Sequence, residues 1–306
     1  MSLVSLIVSA YNEEAGLPQF YEEVRRVAGD LEAGDPGLSF EFLFVDDGSR
    51  DGTAELLYGL QKDDSRIRVI RFSRNFGHEA AMTAGLDHAA GDILIFMDAD
   101  LQHPPACIPQ ILDKFREGYE VVSMVRTRNE DAGLIKKITS AGYYAVMQHL
   151  STASMEPGAS DFFAISLQAA EVLRAGYREK LRFLRGYVQN VGFRKTVLTY
   201  EAGKRVAGSS HYSIGRLWRL SMDSIVCFSE KPLRIGFYAA FLSFAAALIL
   251  LICGLASGSA GALAAIIVML FLFSLLFFIL GVLGEYMAGM LVQLRDRPIY
   301  IIRDIR

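Results

Sequence analysis

From Leu3 onward, short apolar runs alternate with longer stretches in which apolar residues recur every three or four positions. Leu3–Ala10, Glu41–Val45, Ile67–Phe72, Asp92–Met97 and Tyr119–Val125 have the length and β-branched content of strands. Ala15–Leu31, Thr53–Lys62, His78–Ala90 and Pro105–Glu117 have the spacing of helices between them. Strands apolar on both faces and separated by helices predict an α/β fold with a parallel sheet covered on both sides. Ligands of such sheets gather at the carboxyl ends of the strands. Polar groups follow each predicted strand end here: Asn12-Glu13, Asp46-Asp47-Gly48-Ser49, Asn75, Asp98-Ala99-Asp100 and Arg126.

The pattern changes towards the C-terminus. Ile235–Gly284 contains no Asp, Glu, Lys or Arg over 50 residues, about twice what one membrane-spanning helix needs, and Ser257-Gly258-Ser259-Ala260-Gly261 interrupts it near the middle. It predicts two transmembrane helices, about 233–257 and 262–285, joined by a tight hairpin. Lys231 and Arg234 precede the run and Arg295, Arg297, Arg303 and Arg306 follow it, which places both ends in the cytosol. Two further stretches, Leu134–Leu150 and Ile214–Phe228, read as basic amphipathic helices; the second, which carries Trp218 and leads into the anchor, suits the membrane interface. Pro298–Ile302 reads as a short strand. The expected division is a catalytic domain at 1–208, a juxtamembrane helix at 209–232, a membrane region at 233–290 and a cytoplasmic tail at 291–306.

Overall charge narrows the partners. With 31 Lys plus Arg against 34 Asp plus Glu, the net charge is −3, so no basic field recruits nucleic acid. Cys107, Cys227 and Cys253 are odd in number and far apart, which provides neither a disulfide framework nor a zinc cluster and suits a reducing cytosol. Leu3–Ala10 lacks a preceding Lys or Arg and runs straight into Tyr11-Asn12-Glu13-Glu14, so it reads as a buried first strand and not a signal peptide.

The most informative chemistry is Asp98-Ala99-Asp100, two carboxylates one residue apart at the end of Ile93-Leu94-Ile95-Phe96-Met97. Hard oxygen ligands beside a phosphate site suit Mg²⁺ or Mn²⁺. Together with Val8-Ser9-Ala10-Tyr11-Asn12-Glu13-Glu14, Val45-Asp46-Asp47-Gly48-Ser49-Arg50-Asp51-Gly52-Thr53, Asn75-Phe76-Gly77-His78-Glu79-Ala80-Ala81 and Leu101-Gln102-His103-Pro104-Pro105, it resembles the family 2 glycosyltransferases of GT-A (Rossmann-like) fold. More narrowly, the chain is similar to the polyprenyl-phosphate glycosyltransferases, over essentially its whole length.

The resemblance implies roles for particular residues. Tyr11, Asn12, Glu13, Asp46 and Asp47 would meet the base and ribose of a nucleotide sugar, while Asp98, Asp100 and Gln102 would hold the metal on its diphosphate. Turn chemistry accounts for Gly48, Asp51 and Gly52. Asp161 matches the acidic residue that acts as base or orients the acceptor, although many members carry Arg where this chain has Phe163. Arg126, Arg128 and Arg205 are candidates for the acceptor phosphate, as are Ser210 and His211. His211 stands where Lys is usual and makes the charge there pH-dependent.

The expected function is an inverting, metal-dependent transfer of a hexose, favoured as glucose from UDP-glucose, to undecaprenyl phosphate at the cytoplasmic face of the inner membrane. GDP-mannose or a UDP-N-acetylhexosamine are alternative donors. A processive polysaccharide synthase is the rival enzyme, and a non-catalytic nucleotide-sugar sensor the rival binding protein. Expected partners are the nucleotide sugar, the polyprenyl phosphate and the bilayer, with a homo-oligomer left open.

Overall fold

The computed structural model describes residues 2–127, 156, 158–180, 182–203, 231–257 and 261–306. Both amphipathic stretches, Leu134–Leu150 and Ile214–Phe228, and the candidates Arg128, Arg205, Ser210 and His211 lie outside the described residues.

The chain divides into two units. The first unites the N-terminal part of the chain with Arg297–Arg306, and is built on an eight-stranded sheet in the order β7-β5-β6-β4-β1-β2-β3-β8. Its strands are β1 (Ser2–Ala10), β2 (Leu38–Asp46), β3 (Ile67–Phe72), β4 (Ile93–Asp98), β5 (Val121–Arg126), β6 (Ala159–Ser166), β7 (Lys195–Tyr200) and β8 (Ile302–Ile305). The first five coincide closely with the sequence expectation. The sheet is mixed, however: β6 runs antiparallel to β4 and β5, and β8 antiparallel to β3. The short C-terminal strand also begins four residues later than the predicted Pro298–Ile302 and ends three later.

Helices cover both faces of the central strands, as their two-sided apolar character requires. α1 (Leu17–Gly34) lays Phe20, Val24, Val27 and Ala28 on Leu6, Val8, Phe42 and Phe44, the Phe20 and Phe44 rings meeting edge to face at 6.5 Å. α4 (Ile108–Arg116) adds Ile108, Ile111 and Leu112 to the same cluster, and α2 (Thr53–Asp63) adds Leu57. α3 (His78–His88) packs against β1 and β2 through small residues, Ala80, Ala81, Ala84 and Gly85. A methyl group on Gly85 would sit 2.1 Å from Ile7 Cγ2, so glycine sets how closely this helix approaches the sheet. α5 (Leu167–Gly176) and α6 (Leu184–Asn190) follow β6.

The second unit contains α7 (Lys231–Ser257) and α8 (Gly261–Leu294). α8 continues nine residues beyond the predicted end at 285. Its stretch Phe271–Leu294 is long and apolar enough to cross a membrane, with large apolar side chains such as Phe271, Phe277 and Leu294 facing outward.

Candidate active site

Strand register brings the chemistry together. β1 pairs parallel with β4 so that Ser9 lies beside Asp98, and β4 pairs antiparallel with β6 from Ile93↔Ser166 to Phe96↔Phe163. Asp98 and Asp161 lie just beyond the last of these pairs and meet at His78, 3.6 Å from Asp98 Oδ1 and 3.7 Å from Asp161 Oδ2. Ser9, Asp98 and Asp161 therefore form a row across three adjacent strands, at the carboxyl ends of β1 and β4 and near the start of β6.

Hydrogen bonds fix the row. The Ser9 hydroxyl donates to Asp98 Oδ1 at 3.0 Å, and His78 Nδ1 lies 3.0 Å from the same hydroxyl oxygen. Because the single hydroxyl proton is already committed to Asp98, Nδ1 carries a proton and donates to Ser9. On the other side of Asp98, its own amide donates to His103 Nδ1 at 3.0 Å, so that nitrogen carries no proton and His103 is held as the Nε2–H tautomer. The buried His103 ring is stacked on Phe162 at 5.1 Å and meets Tyr200 edge-on, so β4 and β6 are pinned together beside the row.

Electrostatics divides the ionisable groups. Burial alone would lower the His78 pKa, but Asp98, 3.6 Å from Nδ1, and Asp161, 3.7 Å from Nε2, outweigh it and the shift is upward. For Asp161, burial pushes the carboxyl up, yet the charges of Arg185 and then His78 hold it below the usual carboxylate range. Glu79 shifts the other way, raised by burial and by the charge of Asp161.

The candidate donor residues fall into two groups. Asp46 is fully buried; Oδ1 accepts from the Ser49 amide at 2.9 Å and Oδ2 lies 3.3 Å from Arg71 Nε. The Asp47 carboxylate accepts from Asn75 Nδ2 at 2.8 Å and from the amides of Phe76 and Gly77, which partly offset the upward push of burial on its pKa. Asn12, at φ 56°, accepts from the Arg50 amide at 2.9 Å and takes a position that Asn tolerates better than most residues. These three lace the loops after β1, β2 and β3 into one rim. Tyr11, 41% exposed, and the half-buried Glu13 stand on the same rim.

Gly48 is a tight point of that rim. Its φ is +67°, and a methyl group there would lie 2.4 Å from the Arg74 carbonyl carbon. Gly48→Ala is expected to cost at least about 2 kcal/mol in urea unfolding, from left-handed backbone plus displacement of main chain. It should also weaken nucleotide-sugar binding, since Asn75–Gly77 would have to move; unchanged unfolding and binding would contradict the close approach.

Asp100 follows Asp98 on the turn, with Oδ1 accepting from the Gln102 amide at 3.0 Å, and Leu101 between them is left-handed at φ 61°. Gln102 Oε1 lies 3.5 Å from Nη1 of Arg126, an exposed residue at the end of β5. Among the described residues no three His, Cys, Asp or Glu side chains gather as a complete ligand set. Two hard carboxylates fit a divalent ion that takes the rest of its shell from phosphate oxygens and water, the habit of Mg²⁺ and similar ions at nucleotide sites. Phe163, where the resemblance has Arg, points into the core and stacks on Phe96 at 4.5 Å.

Ser9, His78 and His103 carry no assigned role in the sequence reading, although all three lie in the motifs quoted there. Arg185 has no such signal.

Residues 5–172, from β1 into α5, match the family described as Glycosyl transferase family 2. The chain belongs to that family. Among its relatives are an uncharacterised glycosyltransferase, YkcC, of Bacillus subtilis, 35% identical over 98% of this chain and 93% of its own, and the SfII prophage-derived bactoprenol glucosyl transferase of Shigella flexneri, 34% identical over 98% and 97%. Among solved structures, glucosyl-3-phosphoglycerate synthase from Mycobacterium tuberculosis has a TM-score of 0.47 at 20% identity, covering 74% of this chain and 78% of that one, a likeness too loose to bear on substrate or metal. The protein is a glycosyltransferase with a GT-A-like α/β fold and a mixed sheet, and its family match spans the strands that present Ser9, Asp98 and Asp161.

Proposed function

We propose that this transferase moves glucose from UDP-glucose to undecaprenyl phosphate at the cytoplasmic face of the inner membrane, with inversion at the anomeric carbon. The observation that carries the reading is the row Ser9–Asp98–Asp161, with Asp100 on the adjoining turn, at the carboxyl end of a family 2 sheet. The Shigella flexneri relative, a bactoprenol glucosyl transferase aligned over almost the whole of both chains, supports the sugar and the lipid class.

In the proposed reaction an acceptor phosphate oxygen attacks the anomeric carbon and forms the new C–O bond. The bond from that carbon to the diphosphate breaks, and the departing UDP takes the electron pair. A phosphate monoester is largely dianionic near neutrality, so no strong base is needed, and Asp161 orients the acceptor more than it deprotonates it. Tyr11 and Glu13 contact the nucleotide directly, while Asn12, Asp46 and Asp47 shape the loops that receive it. Asp98 and Asp100, with Gln102 nearby, would hold a Mg²⁺ or Mn²⁺ ion that neutralises charge on the diphosphate. Arg126, Arg128, Arg205, Ser210 and His211 are assigned to the acceptor phosphate.

Residues 1–208 with the C-terminal segment form the catalytic part in this reading, 209–232 lies at the interface, and α7 and α8 cross the bilayer as a hairpin. The charge-free run Ile235–Gly284 and the apolar stretch Phe271–Leu294 support it.

The test is purified full-length protein offered a panel of labelled nucleotide sugars with undecaprenyl phosphate, followed by mass analysis of the lipid fraction. A single hexose on the lipid from UDP-glucose alone is the expected result. Transfer from GDP-mannose or a UDP-N-acetylhexosamine would replace the donor, and a polymer would replace the mechanism. Asp161→Asn should lower kcat while leaving UDP-glucose affinity within about twofold; collapse of donor binding instead would move Asp161 to the donor side.

A further inference from the structure

Asp161 is gripped from both sides. Its Oδ2 faces His78 Nε2 at 3.7 Å, and its Oδ1 lies 3.5 Å from Nη1 of Arg185, the second residue of α6. The same Nη1 donates to the Ala159 carbonyl at 3.1 Å, two residues earlier on the strand that carries Asp161. The guanidinium carbon lies over the Phe183 ring, 4.7 Å from its centroid. A planar cation engaged by main chain, carboxylate and ring has little orientational freedom.

Its helix is tied to the site as well. Glu79 Oε2 accepts from the amide of Leu184, the first residue of α6, at 2.8 Å. Glu79 adjoins His78 at the start of α3, so one helix presents the imidazole to Asp161 and anchors the short helix that presents Arg185. The two groups that touch Asp161 are thus built on a common support.

We infer that Arg185 is a positioning residue for glycosyl transfer: by joining Asp161 to the main chain of its own strand, it holds the carboxylate in line with Ser9 and Asp98, where the acceptor must be received. The inference rests on the reading of Asp161 as the acceptor-side group. An oriented carboxylate matters because displacement of a reacting or orienting group by about 1 Å can cost on the order of 10²-fold in rate.

The experiment compares wild type, Arg185→Met, Arg185→Lys, Arg185→Ala and Asp161→Asn as full-length proteins, with undecaprenyl phosphate and the donor that the panel identifies. Turnover, donor and acceptor KM, donor binding by calorimetry and thermal melting are read for each. Arg185→Met is expected to lose about 10- to 100-fold in kcat with a donor Kd within twofold of wild type. Arg185→Lys should recover part of that loss, because an ammonium keeps the charge but lacks the fork. Millimolar guanidinium should raise the activity of Arg185→Ala several-fold and leave Asp161→Asn unchanged.

Full turnover in Arg185→Met would overturn the inference. So would a loss that guanidinium does not relieve and that comes with a lower melting temperature or weaker donor binding, the signature of a purely structural arginine. If Asp161→Asn is impaired while Arg185→Met is not, the inference alone fails; if Asp161→Asn is fully active, the acceptor-side reading fails with it.

Discussion

Asp100→Asn should reduce glucosyl transfer by about 10²- to 10³-fold while changing nucleotide-sugar binding far less. The side chain remains the same size and its oxygen can still accept from the Gln102 amide at 3.0 Å, so the turn carrying Leu101 in its left-handed conformation is kept. What is lost is one of two negative charges at the end of β4. In the proposed reaction, charge grows on the diphosphate as the anomeric bond breaks, and a divalent ion held by Asp98 and Asp100 matters more at that moment than in the bound ground state. The companion measurement is wild-type enzyme in excess chelator, which should fall to a similar level and recover when Mg²⁺ or Mn²⁺ is restored. Undiminished transfer by Asp100→Asn, or by wild type without divalent ions, would rule out this role.

Deleting Arg297–Arg306 should lower the stability of the sheet unit by about 2–3 kcal/mol and weaken nucleotide-sugar binding with it. The segment returns to pair with β3, with Val69 and Arg306 exchanging both main-chain bonds at 2.9 Å. Tyr300 stacks on the buried Phe72 with ring centroids 5.2 Å apart, and its hydroxyl donates to Asp87 at 2.7 Å, where Arg178 is also bound. Re-exposing one aromatic core side chain costs about 1.5–3 kcal/mol, and breaking buried hydrogen bonds adds to it. Phe72 also meets Phe76 edge to face, and the Phe76 amide donates to Asp47, so loosening this corner reaches the donor rim. A chain in which a flexible linker replaces α7 and α8 but the last ten residues are kept should retain the stability of the sheet unit. Equal urea midpoints for the deletion and the full chain would refute the strap.

Much of the site could be read directly from the chain. β1 to β4 announce themselves because each is a short apolar run bounded by polar turn residues, and burial on both faces leaves no helical periodicity to confuse them. Their direction follows from the helices between them, since a crossover helix requires a parallel neighbour, and that alone puts Asn12, Asp46, Asn75 and Asp98 on one rim. The Asp98-x-Asp100 pair and the charge-free run Ile235–Gly284 are equally local signals.

Long-range pairing was decided elsewhere. Main-chain hydrogen bonds are the same for every residue type, so nothing within Ala159–Ser166 states that it enters between β4 and β5, or that it runs antiparallel. Only that insertion sets Asp161 near Asp98 and brings Arg185 and His78 to either side of it. The same limit applies to β8, whose partner β3 lies more than two hundred residues away. It applies also to Asp46 and Asp47: their residue type suggests ligands, and only the fold shows that Asp47 accepts from Asn75, Phe76 and Gly77, and that Asp46 accepts from the Ser49 amide through Oδ1 while its buried Oδ2, beside Arg71, accepts no hydrogen bond. A carboxylate's chemistry is written in the sequence; whether its lone pairs are already occupied depends on which distant amides and cations the fold delivers to it.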